Sequence, residues 1–138
     1  MVFTKDVIDE FGQSAGKVWR AINTHGPLTE KELIKNTKLT KKIFYAAIGW
    51  LARENKIHLE NELYILGETN LTDEIGTGAG KVLNTIEVCG EIDVSSISRL
   101  IEVKETDVYN ALGWLAREDK IQAKKGRLKQ SPIKYKLK

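Results

Sequence analysis

Two stretches of this chain occur twice. DEFGQSAGKVWRAI (Asp9 to Ile22) returns as DEIGTGAGKVLNTI (Asp73 to Ile86), and AIGWLARENKI (Ala47 to Ile57) returns as ALGWLAREDKI (Ala111 to Ile121). Both pairs lie 64 residues apart, so the register between them holds without a gap. Gly26 also falls on Gly90, and Tyr45 on Tyr109. Self-similarity at a fixed period marks a repeated structural unit, so whatever one copy folds into, the other must be able to adopt. The spacing predicts copy one over residues 1–67, a short polar linker over 68–75 and copy two over 76–138. A lone unit of about 60 residues buries only about 60% of the surface its unfolded chain exposes. The copies are therefore expected to dock on one another or to form a homodimer.

Within each copy the hydrophobic period is first helical and then strand-like. Ala15, Val18, Trp19 and Ile22 recur at helical spacing and predict a first helix over about 13–25. Gly26-Pro27 ends it, because glycine suits a C-terminal turn and proline cannot continue a helix. Thr29 with Glu32 forms a capping-box pattern for a second helix, and Asp93 takes the N-cap position in copy two. Thr40 caps a longer third helix whose buried stripe is Phe44, Ala47, Ile48 and Leu51. After Lys56 apolar residues alternate in Ile57-His58-Leu59 and Leu63-Tyr64-Ile65 about a polar turn, as in a hairpin. In copy two the corresponding strands flank a longer loop with Gly126 and Pro132. The expected fold class is mainly α with small β-hairpins (α+β), built as two tandem winged helix-turn-helix domains.

The shared AGKV and GWLARE segments are similar to those of a family of small winged-helix domains generally described as DNA-binding. The resemblance covers both copies and so nearly the whole chain. It implies the same fold and a nucleic-acid partner. Most of the shared residues also have structural work to do. Gly49 and Gly113 sit mid-helix, where glycine costs about 1 kcal/mol relative to alanine. Close approach of another element is expected to offset this, with Ala15-Gly16 and Ala79-Gly80 as the small surface opposite. Trp50 and Trp114 are expected to seal the core or the contact between copies, so all four are read as inter-domain or dimer contacts. Arg53-Glu54 and Arg117-Glu118 are spaced to pair locally, which is worth little at a surface.

Catalytic chemistry finds little support. GTGAGK (Gly76 to Lys81) looks superficially like a phosphate loop, but Ile75 stands where GxxxxGK begins and Val82 where Ser or Thr would bind magnesium. Cys89 is the single cysteine, and His25 and His58 are the only histidines, so no metal-ligand spacing exists. The chain is expected not to be an enzyme and to need no cofactor or metal. The opening MVFTKDVIDEF is charged where a secretory signal would be apolar, and the run AAIGWLA is too short to span a bilayer. A cytoplasmic protein without a membrane partner is expected, consistent with 41% hydrophobic and 30% charged residues.

Charge is divided unequally between the copies. Winged helices that bind DNA present the third helix to the major groove and the wing to phosphates or the minor groove. Copy one places Lys38, Lys41 and Lys42 at the head of that helix, with Tyr45 one turn on and Lys35 and Arg53 adding positive potential, but its wing HLENEL is acidic. Copy two begins its third helix with Glu105 and Asp107, while its wing and tail carry Lys124, Lys125, Arg127 and Lys129 followed by further lysines. The expectation is a double-stranded DNA-binding protein, a transcriptional regulator or a nucleoid-associated protein. It would use the copy-one third helix together with the copy-two wing. The competing expectation is a protein-protein interaction scaffold built from tandem winged helices.

Overall fold

The computed structural model describes residues 6–138, so the first five residues of the copy-one unit lie outside the described residues. Helix α1 (Val7–His25) opens on Asp6, whose carboxylate accepts from the Ile8 amide at 3.3 Å. It starts six residues before the predicted start at about residue 13. It stops at Gly26, whose φ of 82° suits glycine. A two-residue strand β1 (Leu28–Thr29) runs into α2 (Glu30–Thr37), where the Thr29 hydroxyl and the Glu32 carboxylate complete a capping box. Helix α3 (Lys41–Arg53) starts at Thr40, whose hydroxyl accepts from the Ile43 amide. Strands β2 (Ile57–Glu60) and β3 (Leu63–Leu66) form the wing. Their two-residue turn puts Asn61 and Glu62 at positive φ, the geometry that matches hairpin twist.

Copy two repeats the order with α4 (Thr72–Cys89), β4 (Ile92–Asp93), α5 (Val94–Ile101), α6 (Glu105–Arg117), β5 (Ile121–Lys124) and β6 (Lys134–Leu137). Residues 72–75 of the stretch read as linker are thus the first turn of α4. Asp93 occupies the N-cap of α5 but makes no side-chain bond to the helix backbone; its carboxylate accepts from the Ser96 hydroxyl instead. Both expected hairpins are present, β2-β3 and β5-β6, and each is extended by a third strand into an antiparallel sheet ordered β1-β3-β2 and β4-β6-β5. Leu28 pairs with Tyr64 and Ile92 with Tyr135. The added strand is two residues long, too short to show a period of two in sequence.

The cores are exchanged at one corner. Val18, Ile22, Phe44, Ile48 and Leu51 of copy one pack with Leu71 and Ile75, the start of α4. Val82, Ile86, Leu112, Leu115 and Tyr135 of copy two pack with Val7 and Phe11, the start of α1. Val7 is the equivalent of Leu71 and Phe11 of Ile75, so each copy sends its first helical turn into the other's core. Trp19, expected in the copy-one stripe, remains 36% exposed.

Helices α3 and α6 form the seam. A Cβ on Gly49 would lie 1.9 Å from the Asn110 carbonyl oxygen, and one on Gly113 would lie 1.8 Å from that of Ala46. Here two backbones touch, which only glycine permits. The surface opposite Gly49 is therefore the other copy's third helix, not the expected Ala15-Gly16; a Cβ on Gly16 would meet only the Arg20 guanidinium. The room for the tryptophans comes from other glycines. The Trp50 ring lies 2.9 Å from a Cβ on Gly12, and the Trp114 ring 3.4 Å from one on Gly76. Both rings pack against both clusters. At the C-terminal ends of the two helices Arg53 pairs with Glu118 at 3.1 Å and Arg117 with Glu54 at 3.0 Å, so the arginines bridge the copies instead of pairing locally.

Candidate nucleic-acid interface

Burial decides what α3 can present. One face of the helix fills its own core with Phe44, Ala47, Ile48 and Leu51, and the other meets α6 through Ala46, Gly49 and Trp50. What remains open is the first turn, with Lys41 and Lys42 exposed. Tyr45 is half-buried, and its hydroxyl donates to the Glu30 carboxylate. Burial and that carboxylate hold its phenol above the ordinary range, so it stays a protonated donor. Arg53 is held at the seam by Glu118, with its guanidinium carbon 5.7 Å from the centre of the Trp114 ring. Lys35 and Lys38 are exposed at the end of α2, where Lys38 adopts a left-handed φ of 59°.

The copy-two wing lies on the same side as the head of α3. Lys42 lines a hollow with Ser131, Pro132 and Ile133 of the wing loop, and with Tyr109 and Tyr135. Ser131 and Pro132 also border a second hollow, lined by Lys124, Lys125, Arg127 and Lys134. Ser131 continues into a third with Lys129. One continuous surface thus runs from the copy-one helix to the tip of the copy-two wing. The loop is held compact where Gly126 faces Ser131: a Cβ on Gly126 would lie 2.2 Å from that of Ser131. Lys125, Arg127 and Lys129 are exposed and form no ion pair among the described residues, whereas Lys124 reaches Glu91 at 3.6 Å. Asp93 and Glu105 border the Lys42 hollow, so positive potential rises away from them, toward residues 125–129.

The GTGAGK segment is the middle of α4, a helix and not a loop, and one of its glycines serves the Trp114 ring. Among the described residues no group of three or more His, Cys, Asp or Glu side chains is placed to hold a metal ion, and no helix is long and apolar enough to cross a membrane.

A family model for a winged helix-turn-helix domain, DUF2582, matches residues 5–66 and again 70–131. The chain belongs to this family. Two DUF2582 domains in tandem account for the duplication, and they share the three-helix and wing order seen in each half. No curated protein and no solved structure matches the chain. Within the DUF2582 pair, sequence reasoning missed Gly12 and Gly76 as the seats of the tryptophans. The signal was present, since both recur at the repeat offset, four residues before Gly16 and Gly80.

Proposed function

We propose that this DUF2582 pair is a non-enzymatic, double-stranded DNA-binding protein whose main contact is the copy-two wing, with the first turn of α3 as a flanking contact. The observation that carries the reading is the continuous surface joining Lys42 to the wing through Ser131 and Pro132. Because α3 and α6 are largely buried, partly in their own cores and partly at the seam, neither is free among the described residues to lie along the major groove. Contacts from a wing go chiefly to phosphate and position the protein without reading bases. Binding driven by Lys41, Lys42, Lys124, Lys125, Arg127 and Lys129 would follow a log-log salt slope of roughly −5, at about −0.9 per neutralised phosphate. Affinity would then fall about a thousand-fold between 50 and 200 mM salt.

A gel-shift titration on random duplex at several salt concentrations tests this. Lys125→Glu with Arg127→Glu is expected to abolish most binding and flatten the slope. Lys41→Glu with Lys42→Glu should weaken it less, because Glu105 and Asp93 already oppose phosphate there. Equal binding by wild type and the wing double variant would defeat the proposal. One observation favours the competing protein-scaffold reading. Val88 and Leu100 are 79% and 61% exposed, where copy one has Thr24 and Asn36. Unchanged salt-independent behaviour on DNA would leave that reading in possession.

A further inference from the structure

The two copies fold alike, so positions at which they differ mark what each does alone. One cluster differs in a single direction. In copy one, Thr24, His25, Asn36 and Thr37 line a common hollow where the end of α1 meets the end of α2. The repeat offset puts Val88, Cys89, Leu100 and Ile101 in those places, at the ends of α4 and α5. Each of the four polar residues thus has an apolar counterpart. Val88 and Leu100 are 79% and 61% exposed, Cys89 is an exposed free thiol, and Ile101 is half-buried against the copy-two core.

A single exposed apolar side chain is ordinary on a folded protein, but neighbours that replace a polar set together form a patch, and such patches mark contact with another macromolecule. The core beneath gives no other reason for them, since Val82, Ile86 and Ile97 already fill it. Charge identifies the occupant. Glu87 on α4 and Arg99 on α5 flank the patch, where copy one has Asn23 and Lys35. Both are exposed, and Arg99 reaches only the Ser96 hydroxyl, at 3.4 Å. An apolar centre with an acid on one side and a base on the other is complementary to itself. In a two-fold pair each residue meets the other's counterpart, so both attractions are made twice. A partner of uniform charge would meet one like charge.

We propose that this face is an interface between two molecules of the chain, with Val88 of one on Leu100 of the other and Glu87 opposite Arg99. The patch is smaller than the roughly 800 Å² per partner of a standard interface, which sets the dissociation constant on the order of 100 µM. The inference does not depend on DNA binding, since none of these residues borders the wing hollows.

The test is sedimentation of the full chain from about 10 µM to about 1 mM, in roughly 200 mM salt so that attraction between the acidic and basic wings is screened. The mass is expected to rise from monomer toward dimer across this range. Installing the copy-one residues, Val88→Thr with Leu100→Asn, should abolish association and leave the helical spectrum intact. Glu87→Arg and Arg99→Glu should each weaken the dimer about tenfold, because each turns two attractions into repulsions. An equimolar mixture of those two single variants should associate as wild type does, since each supplies the charge the other lacks. Should the apolar pair variant disturb the fold, the charge variants and their mixture decide the matter. A monomer throughout the range would overturn the proposal and leave the patch to a different polypeptide. Association unchanged in the apolar pair variant, or a mixture no better than either single variant, would overturn it equally.

Discussion

Adding one methyl group at the seam should lower stability, although the same change elsewhere in a helix raises it. In Gly49→Ala the new Cβ would stand 1.9 Å from the Asn110 carbonyl oxygen. Ordinary contact needs about 3.5 Å, so α3 and α6 would have to part by roughly 1.5 Å. The clashing atom belongs to backbone and cannot swing aside as a side-chain tip would. Overpacking of this kind costs about 1–3 kcal/mol, and a rigid obstacle places it toward the upper end. Against that, alanine gains about 1 kcal/mol over glycine in helix propensity. The net loss is about 2 kcal/mol, which for a chain of this size is a drop in Tm of roughly 6–8 °C. Thermal unfolding followed by circular dichroism reads it directly. Gly80→Ala is the matched control, because its Cβ meets nothing within 4 Å, and it should melt at or slightly above wild type. Combining Gly49→Ala with Gly113→Ala should cost less than the two losses added, since one separation relieves both clashes. A Gly49→Ala protein as stable as the Gly80→Ala control would refute the seam as described.

Two further outcomes are expected. A fragment holding residues 70–138 alone lacks Val7 and Phe11 from its core, and losing a buried phenylalanine by itself removes about 3–5 kcal/mol; it should show collapsed amide dispersion, and a well-dispersed spectrum would contradict the exchanged packing. The second concerns alkaline stability. Burial, with the Glu30 and Glu74 carboxylates, pushes the Tyr64 phenol up to about 12 from an ordinary value of 10.0. A folded value above the unfolded one means that the stabilisation is complete below pH 10 and is lost as pH rises through 10 toward 12. Phenolate absorbance should therefore lag behind free tyrosine and rise together with loss of the helical signal, and titration of all tyrosines near pH 10 with helices intact would contradict it.

Much of each copy was legible because its signals are local. Gly26, the Thr29–Glu32 box, Thr40 and the switch of period after Lys56 each act within a few residues. The hidden part has a specific cause. In a chain repeated at a fixed offset, every contact within a copy has a twin between copies that the sequence cannot distinguish. Gly49 could face Ala15-Gly16 of its own half or the third helix of the other; Phe11 could enter either core. Only geometry chooses, and in both cases the choice crosses the repeat. The start of α1 was missed for the same reason, since Val7 and Phe11 belong to a stripe aimed at a different core from Val18 and Ile22. At the candidate interface the inventory of cations was readable, as was the acidic head of α6. That Arg53 would be engaged by Glu118, and that Lys42 would adjoin Pro132, depended on how the halves dock.

The exchange of first helical turns ties two halves that are covalently one molecule. Were the same geometry assembled from two identical polypeptides, every amino-acid replacement would appear at both ends, and a cationic hairpin on one side would force its double on the other. A single polypeptide escapes that bookkeeping. It can keep glutamates at one extremity and lysines at the other while the shared middle stays under a common constraint, and so acquire a front and a back that no symmetric pair could possess.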